Sequence, residues 1–384
     1  MSVYLRFLLY CVLIATGLVA AVVQLDRHAL EYPFFAKFIP EPFADFSMVR
    51  KTAQEASLGD ADYALAQARR LIFLHPVPAE NLTIYAIAAF RKGEQNFGAK
   101  ALTLSAQRGW REPFAQKAVA VASAQAGDWE IAADRLTALW KTRPTRSELG
   151  SISKQVLSYP QIQRNFAESL VAPAPWVHLF VTWGGQNLDP IAFSNIVDEA
   201  NRRGAKFSCL SMSRIARRYL NRALRKAAEQ IWSGSCAANS PRNNLDLTFS
   251  KIQSSKTSAF DPYSWDFPPA VGLSATLSGE GRSVGVNFRN DEPVRQVLAN
   301  KFITLPPGNH KIHVSAKNLS ARSRAVLIYF NCMGDETSTW QGPLVIEPRR
   351  SPISVQVPET GCEVQSIELR VAQGSGDQLR VWIN

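Results

Sequence analysis

At 384 residues the chain is long enough for two or three domains, each with a full core, so size by itself excludes nothing. Its 43 Lys and Arg against 32 Asp and Glu give a formal net charge of +11, and the surplus is concentrated in one stretch. Five histidines are scattered and none of the five cysteines forms a Cys-x-x-Cys, which argues against a zinc site; no metal and no cofactor is expected.

Phe7 to Leu25 is a run of 19 residues without a charge, preceded by Arg6 and followed by Asp26, Arg27 and His28. A helix of that length crosses a bilayer, and residues 1–26 are read as a single-pass anchor. Its cationic end stays in the cytoplasm, so everything after Leu25 is expected outside a bacterial inner membrane, in the periplasm. Val19-Ala20-Ala21 offers a cleavage site, so a removed signal peptide is the alternative. The apolar run continues through Val22 and Val23, which favours an uncleaved anchor. Cys11 lies mid-run as a membrane-facing thiol. In an exported chain the other four cysteines form two local pairs, and disulfides are expected between Cys209 and Cys236 and between Cys332 and Cys362.

Residues 27–46 combine Pro33, Pro40 and Pro42 with Phe34, Phe35, Phe38 and Phe43, and are expected as an extended lead-in against the next helices. Helical periodicity then runs from about Ser47 to Trp140. Within it Gly59, Gly93 and Gly127 stand 34 residues apart, and Pro76 and Pro144 follow the first and third by 17. Ala64, Gly98 and Ala132 repeat at the same offset, as do Ala86 and Ala120, where small residues let helices approach closely. Glycine in the Gly59-Asp60 and Gly127-Asp128 turns allows a left-handed backbone between antiparallel helices, and the aspartate can cap the second helix. This period resembles the tetratricopeptide family, with about three units over residues 46–144. The resemblance implies a helical array that docks a protein partner and carries no chemistry of its own.

Beyond Trp140 the pattern is broken by Pro160, Pro173 and Pro175. Asp189-Pro190 opens a helix that ends at Gly204, and Ser211 or Ser213 starts a basic helix reaching about Trp232. Residues 47–235 are thus read as one helical domain, with the later helices continuing and capping the array. From Arg202 to Lys226 there is no Asp or Glu. Arg214, Arg218, Arg222 and Arg225 recur at steps of four, four and three along one side of that helix, with Arg217 beside them. Like charges at this spacing repel, so the stripe is either a solvated face or a dock for an anion: an acidic polysaccharide, lipid headgroups or an acidic protein. Export argues against nucleic acid.

Residues 236–244 change to Ser, Asn, Pro and Gly and are read as a linker. Residues 245–384 then carry short alternating segments at 245–252, 271–277, 283–288, 311–316, 325–332, 353–357, 365–371 and 379–383, separated by turn clusters. They predict an antiparallel jelly-roll sandwich. The fold class expected for the whole is a transmembrane helix, an all-α repeat array and an all-β jelly roll.

Asn244 to Phe249, then Asp261-Pro262-Tyr263-Ser264-Trp265, then Leu305-Pro306-Pro307-Gly308 before the strand at 311–316, resemble the jelly-roll carbohydrate-binding modules. The last strand lacks the aspartate that helps such modules hold structural calcium. Anchor, repeats and sandwich together resemble accessory proteins of bacterial exopolysaccharide synthesis and export. Sugar binding needs exposed aromatic faces, and the candidates are Tyr263, Trp265, Tyr329 and Trp340. Strand alternation puts Tyr329 opposite Val326, Ile328, Phe330 and Cys332, which read as core. For Trp265 and Trp382 the core is the favoured place.

Catalysis is not expected. No Gly-x-Ser-x-Gly, phosphate loop, dinucleotide fingerprint or His-Glu-x-x-His occurs. His310 and His313 read as ordinary surface. Asp261, Asp266, Asp335 and Glu336 are the loop acids a glycosidase would draw on. The expected function is a non-catalytic, membrane-anchored scaffold that binds a protein and a polysaccharide in exopolysaccharide or capsule assembly; a scaffold without glycan binding and a polysaccharide-modifying enzyme are the alternatives.

Overall fold

The computed structural model describes residues 3–29, 31–109, 112–142, 146–236, 245–249, 261–279, 283–319, 326–334, 344–346 and 352–383. They group into two compact units, Met1–Ile162 and Gln163–Asn384, each considered by itself.

The first unit opens with α1 (Val3–His28), whose span Phe7–His28 is apolar and long enough to cross a membrane. The lead-in is not extended. It forms two 3-10 helices, Pro33–Phe38 and Glu41–Phe43. A proline at the first helical position supplies the φ such a turn needs, and Ala36 and Ile39 then bury against Val22 and Leu25 of α1. Six helices of 13 or 14 residues follow in three hairpins: α2 (Phe46–Leu58) with α3 (Ala61–Leu74), α4 (Ala79–Lys92) with α5 (Gln95–Arg108), and α6 (Pro113–Ala126) with α7 (Trp129–Thr142).

The three glycines terminate the first helix of each hairpin, as the period predicts. Gly93 and Gly127 are left-handed, at φ 90° and 86°; Gly59 is not, at φ −80° with extended ψ. Asp60 caps α3 by accepting from the backbone N–H groups of Asp62 and Tyr63, both at 3.0 Å. Ala56, Ala64, Ala68, Ala88 and Ala89 are fully buried between these helices, where larger side chains would hold the backbones apart. Arg91 on α4 reaches back one unit. Its guanidinium donates to the carbonyls of Glu55, Ala56 and Gly59, which satisfies the otherwise orphaned C-terminal end of α2. Pro144 and Trp110 lie outside the described residues. Helix α8 (Arg146–Val156) follows, and α9 (Pro160–Ser169) begins at the end of this unit and lies mostly in the second.

The second unit contains α10 (Pro175–Asn187), α11 (Pro190–Arg202), α12 (Cys209–Asn221) and α13 (Arg225–Cys236), and then the sandwich. Pro160 and Pro175, which read as interruptions, instead open helices as Pro190 does, because the first turn has no use for their missing N–H.

Among the described residues the sandwich has nine strands: β1 (Leu273–Ser278), β2 (Gly285–Asn290), β3 (Gln296–Ile303), β4 (Gly308–Lys317), β5 (Val326–Cys332), β6 (Leu344–Ile346), β7 (Ile353–Val357), β8 (Gln365–Val371) and β9 (Gly374–Ile383). One sheet runs β1-β2-β9-β4-β7 and the other β3-β8-β5-β6, antiparallel throughout. Strands 2 with 9, 3 with 8, 4 with 7 and 5 with 6 are pairs, the pattern of one long hairpin rolled on itself, which is a jelly roll. Val286, Phe288, Ile312, Val314 and Val381 of one sheet and Ile303, Ile328, Ile367 and Leu369 of the other form its core.

The segment at 245–252 shows no strand over its described part, residues 245–249, although Leu247 and Phe249 join the core. Conversely β3 and β6 were not foreseen. In β3 a register shift between Val297 and Ala299 and a buried Lys301 erase the alternation that marks a strand.

Candidate functional site

The basic stretch is built on α11 to α13. Asp189 caps α11 by accepting from Ile191 and Ala192, and left-handed Gly204 at φ 97° follows its end. In α12 the residues Met212, Ile215, Ala216, Tyr219 and Leu220 bury one face, which leaves Arg214 and Arg218 exposed on the other. The continuous helix expected to Trp232 does not exist. The chain turns at Arg222–Leu224, with Ala223 left-handed at φ 57°, and α13 starts at Arg225.

This break divides the five arginines. Arg217 Nη1 lies 3.4 Å from Asp266 Oδ2, and Arg225 Nε donates to Glu229 Oε1 at 2.8 Å. Arg214, Arg218 and Arg222 are exposed and have no carboxylate within ion-pair distance among the described residues. Lys206 and Lys226, also exposed, flank them. Earlier in the stretch Arg202 pairs with Asp198 and Glu199, and Arg203 with Glu199 and Glu168. Among the described residues, the charge without a carboxylate partner in this stretch is therefore three arginines and two lysines rather than the whole run. Desolvation by burial pushes the Tyr219 phenol beneath this face well above its ordinary value.

The disulfide Cys209–Cys236 joins the first residue of α12 to the last of α13, with Cα atoms 5.6 Å apart. It closes a helical hairpin, because the chain reverses at Ala223. Cys332–Cys362 joins the end of β5 to the approach to β8. Cys11 is the free cysteine among the described residues.

The aromatic candidates of the sandwich are placed differently from one another. Tyr263 and Trp265 are buried. Trp265 Nε1 donates to the Leu247 carbonyl at 3.1 Å and its ring lies 5.0 Å from that of Phe249, so it is core and presents no face to a sugar. Lys301 donates its ammonium to the Tyr263 carbonyl, which holds that loop on β3. Tyr329 points away from the core as alternation predicts, but the Arg370 guanidinium covers its ring at 4.5 Å, and Arg370 is itself paired with Glu368. Trp340 lies outside the described residues.

The pair that sequence reasoning missed is His313 and Trp382. They face each other across β4 and β9, with rings stacked at 5.3 Å and 11° between planes. Their neighbours Ile312, Val314 and Val381 are buried, so the stack is on the outer side of the five-stranded sheet. The same period-two reading that placed Tyr329 would have found Trp382, since Leu379 and Val381 are the inward positions.

Of the loop acids, Asp266 faces Arg217 and Asp261 is buried, its Oδ1 accepting from the Tyr263 N–H at 2.9 Å. Asp335 and Glu336 lie outside the described residues. No three His, Cys, Asp or Glu side chains gather among the described residues in a way that could hold a metal ion. In the first unit a cleft of about 570 Å³ opens between α2 and α3, lined by Lys51, Glu55, Tyr63, Arg70, Leu74 and His75. No protein-family model matches this chain, and no curated protein resembles it significantly.

Proposed function

We propose that the protein is a non-catalytic, membrane-anchored, extracytoplasmic adaptor whose helical array docks a protein partner and whose α12 face engages an acidic polysaccharide. The observation that carries this is the set Arg214, Arg218 and Arg222, exposed without carboxylates among the described residues, in a chain with an apolar N-terminal helix and two disulfides. Three like charges so placed repel, and an anion that meets them gains both contact and relief of that repulsion. The setting, by resemblance alone, is exopolysaccharide or capsule assembly at a bacterial inner membrane with the bulk of the chain in the periplasm. Joining anchor, array and anion face in one chain raises effective concentration without new chemistry.

The test is binding of the detergent-solubilised chain to acidic and neutral bacterial polysaccharides at low and physiological salt. Salt-sensitive binding to acidic chains, abolished by Arg214→Glu with Arg218→Glu, supports the reading. Equal binding by wild type and the reversed variant removes it.

A second reading, a protein scaffold with no glycan contact, is favoured by the burial of Tyr263 and Trp265 and the capping of Tyr329 by Arg370. Absence of binding to every polysaccharide would support that alternative.

A further inference from the structure

The apolar run Phe7 to Leu25 rises about 28 Å as a helix, close to the roughly 30 Å of a bilayer's hydrocarbon core. Its last residues therefore mark the level at which hydrocarbon gives way to headgroups. The 3-10 helix Pro33–Phe38 and the residue after it fold back onto that same level: Ala36 and Ile39 are buried against Val22 and Leu25, together with Ala29.

The other side of this segment is strongly apolar and open. Phe34 is 64 % exposed and Phe38 60 %, with their rings 5.2 Å apart, and Tyr32 is exposed beside them. Lys37, Arg27 and His28 are exposed in the same stretch. In water such a cluster would be costly, since Phe and Tyr each carry about 150–250 Å² of burial-seeking surface. Aromatic rings with a neighbouring lysine are what the boundary between acyl chains and headgroups accommodates, the rings at the glycerol level and the amines among the phosphates.

We propose that Tyr32, Phe34 and Phe38 form a foot embedded in the outer boundary of the membrane that α1 crosses, with Lys37 and Arg27 meeting lipid phosphate. The occupant follows from continuity: the segment packs on the part of α1 that emerges from the hydrocarbon, so its outward side lies at the same depth. The foot gives the array a second, lateral contact with the bilayer, and so restrains its tilt instead of leaving it to swing on one helix. The inference rests on α1 being a membrane span, and the experiment separates the two.

Nitroxide labels are placed by Phe34→Cys, Phe38→Cys, Leu18→Cys and Tyr63→Cys, one at a time in a Cys11→Ser full-length chain. The protein is reconstituted in vesicles of phosphatidylethanolamine and phosphatidylglycerol, and accessibility to oxygen and to a nickel chelate is measured by power saturation. Leu18 reports the hydrocarbon, and Tyr63, exposed on α3, reports bulk water. Labels at 34 and 38 are expected to favour oxygen over nickel, at a depth shallower than 18. If 18 reads as hydrocarbon while 34 and 38 match 63, the foot is wrong and the anchor stands. If 34 and 38 are shielded from both reagents, a protein partner covers them and the lipid assignment fails. A water-exposed label at 18 overturns the anchor and the foot together. As a second readout, Phe34→Ser with Phe38→Ser is expected to leave membrane insertion intact and to raise exchange of the backbone amides of residues 34–39.

Discussion

The Asp26 carboxylate, at the end of the apolar helix, accepts the backbone N–H of Ser47 on Oδ1 at 3.0 Å, and on Oδ2 those of Phe46 at 2.9 Å and Asp45 at 3.0 Å. Asp26 is thus the N-terminal cap of α2, supplied from another helix, since Asp45 at the usual capping position makes no side-chain cap. The side chain is 2 % exposed and clamps the anchor to the first repeat. Asp26→Ala leaves three backbone donors without their partner, that of Ser47 buried and those of Asp45 and Phe46 partly so, and is expected to cost about 1–3 kcal/mol, whereas Asp26→Asn, which keeps one acceptor, loses less. Amide exchange at 45–47 in the full chain should rise in the same order. Unchanged exchange in Asp26→Ala would show that the clamp contributes nothing.

Gly93 and Gly127 close their helices in the left-handed region, where a Cβ is strained. Gly93→Ala and Gly127→Ala are each expected to lower stability by about 1 kcal/mol. Gly59, on the same 34-residue period but at φ −80°, carries no such strain, and a Cβ there meets chiefly the movable end of Glu55. Gly59→Ala should be milder than either. Chemical denaturation of the three variants checks this, and equal losses would contradict it.

The contrast between these residues shows what a sequence can and cannot reveal about this molecule. A glycine turn is dictated by its own backbone, so the 34-residue period was legible and so was the hairpin array it implies. The Asp26 cap joins groups 19 to 21 residues apart, and no local pattern announces it. The break at Ala223 was hidden because alanine ordinarily continues a helix, so the arginine stripe read as one face when the chain in fact reverses beneath it. Strand β3 was hidden by its register shift and by Lys301, whose buried ammonium finds the Tyr263 carbonyl. Trp382 was legible but passed over, because a tryptophan near a chain end was weighed by its average burial instead of by its place in the alternation.

The two disulfides close loops of 27 and 30 residues. By loop entropy each constrains the unfolded chain by about 3–4 kcal/mol. Reduction under native conditions should lower the melting temperature markedly. Cys209→Ser with Cys236→Ser should loosen the α12–α13 hairpin, and with it the salt-sensitive polysaccharide binding proposed for Arg214 and Arg218. Cys332→Ser with Cys362→Ser should lower stability with little effect on that binding. Equal effects of the two pairs on binding would remove the link between the hairpin and the basic face.

Acid should weaken the second unit through Glu199. Arg203 Nε donates to its carboxylate at 2.7 Å and Arg202 Nη2 lies at 2.8 Å. The Arg203 hydrogen bond, with the charges of both arginines, holds the carboxyl below its ordinary value of 4.5. A carboxyl depressed in the folded state stabilises fully above the unfolded value and loses that contribution as pH falls through the folded one. Wild type is therefore expected to lose melting temperature below pH 4.5, while Glu199→Gln starts lower at neutral pH and declines less steeply. Parallel pH profiles would show that the ion pairs are energetically silent.

The α12 face and the outer sheet around Trp382 are separable as polysaccharide contacts on the second unit. The Trp382 ring lies on the outer side of the five-stranded sheet, stacked with His313, and its loss opens no cavity in the core. Trp382→Ala should therefore leave the fold intact. Aromatic stacking is an apolar contact and does not respond to ionic strength, whereas the arginine contacts are screened over about 10 Å at 0.1 M salt. If the outer sheet contributes, Trp382→Ala weakens polysaccharide binding roughly 2- to 10-fold at every salt concentration. Charge reversal at Arg214 and Arg218 instead flattens the salt dependence. Should Trp382→Ala bind like wild type while the reversal abolishes binding, recognition belongs to the α12 face alone, and the jelly roll is a support for the hairpin that carries it.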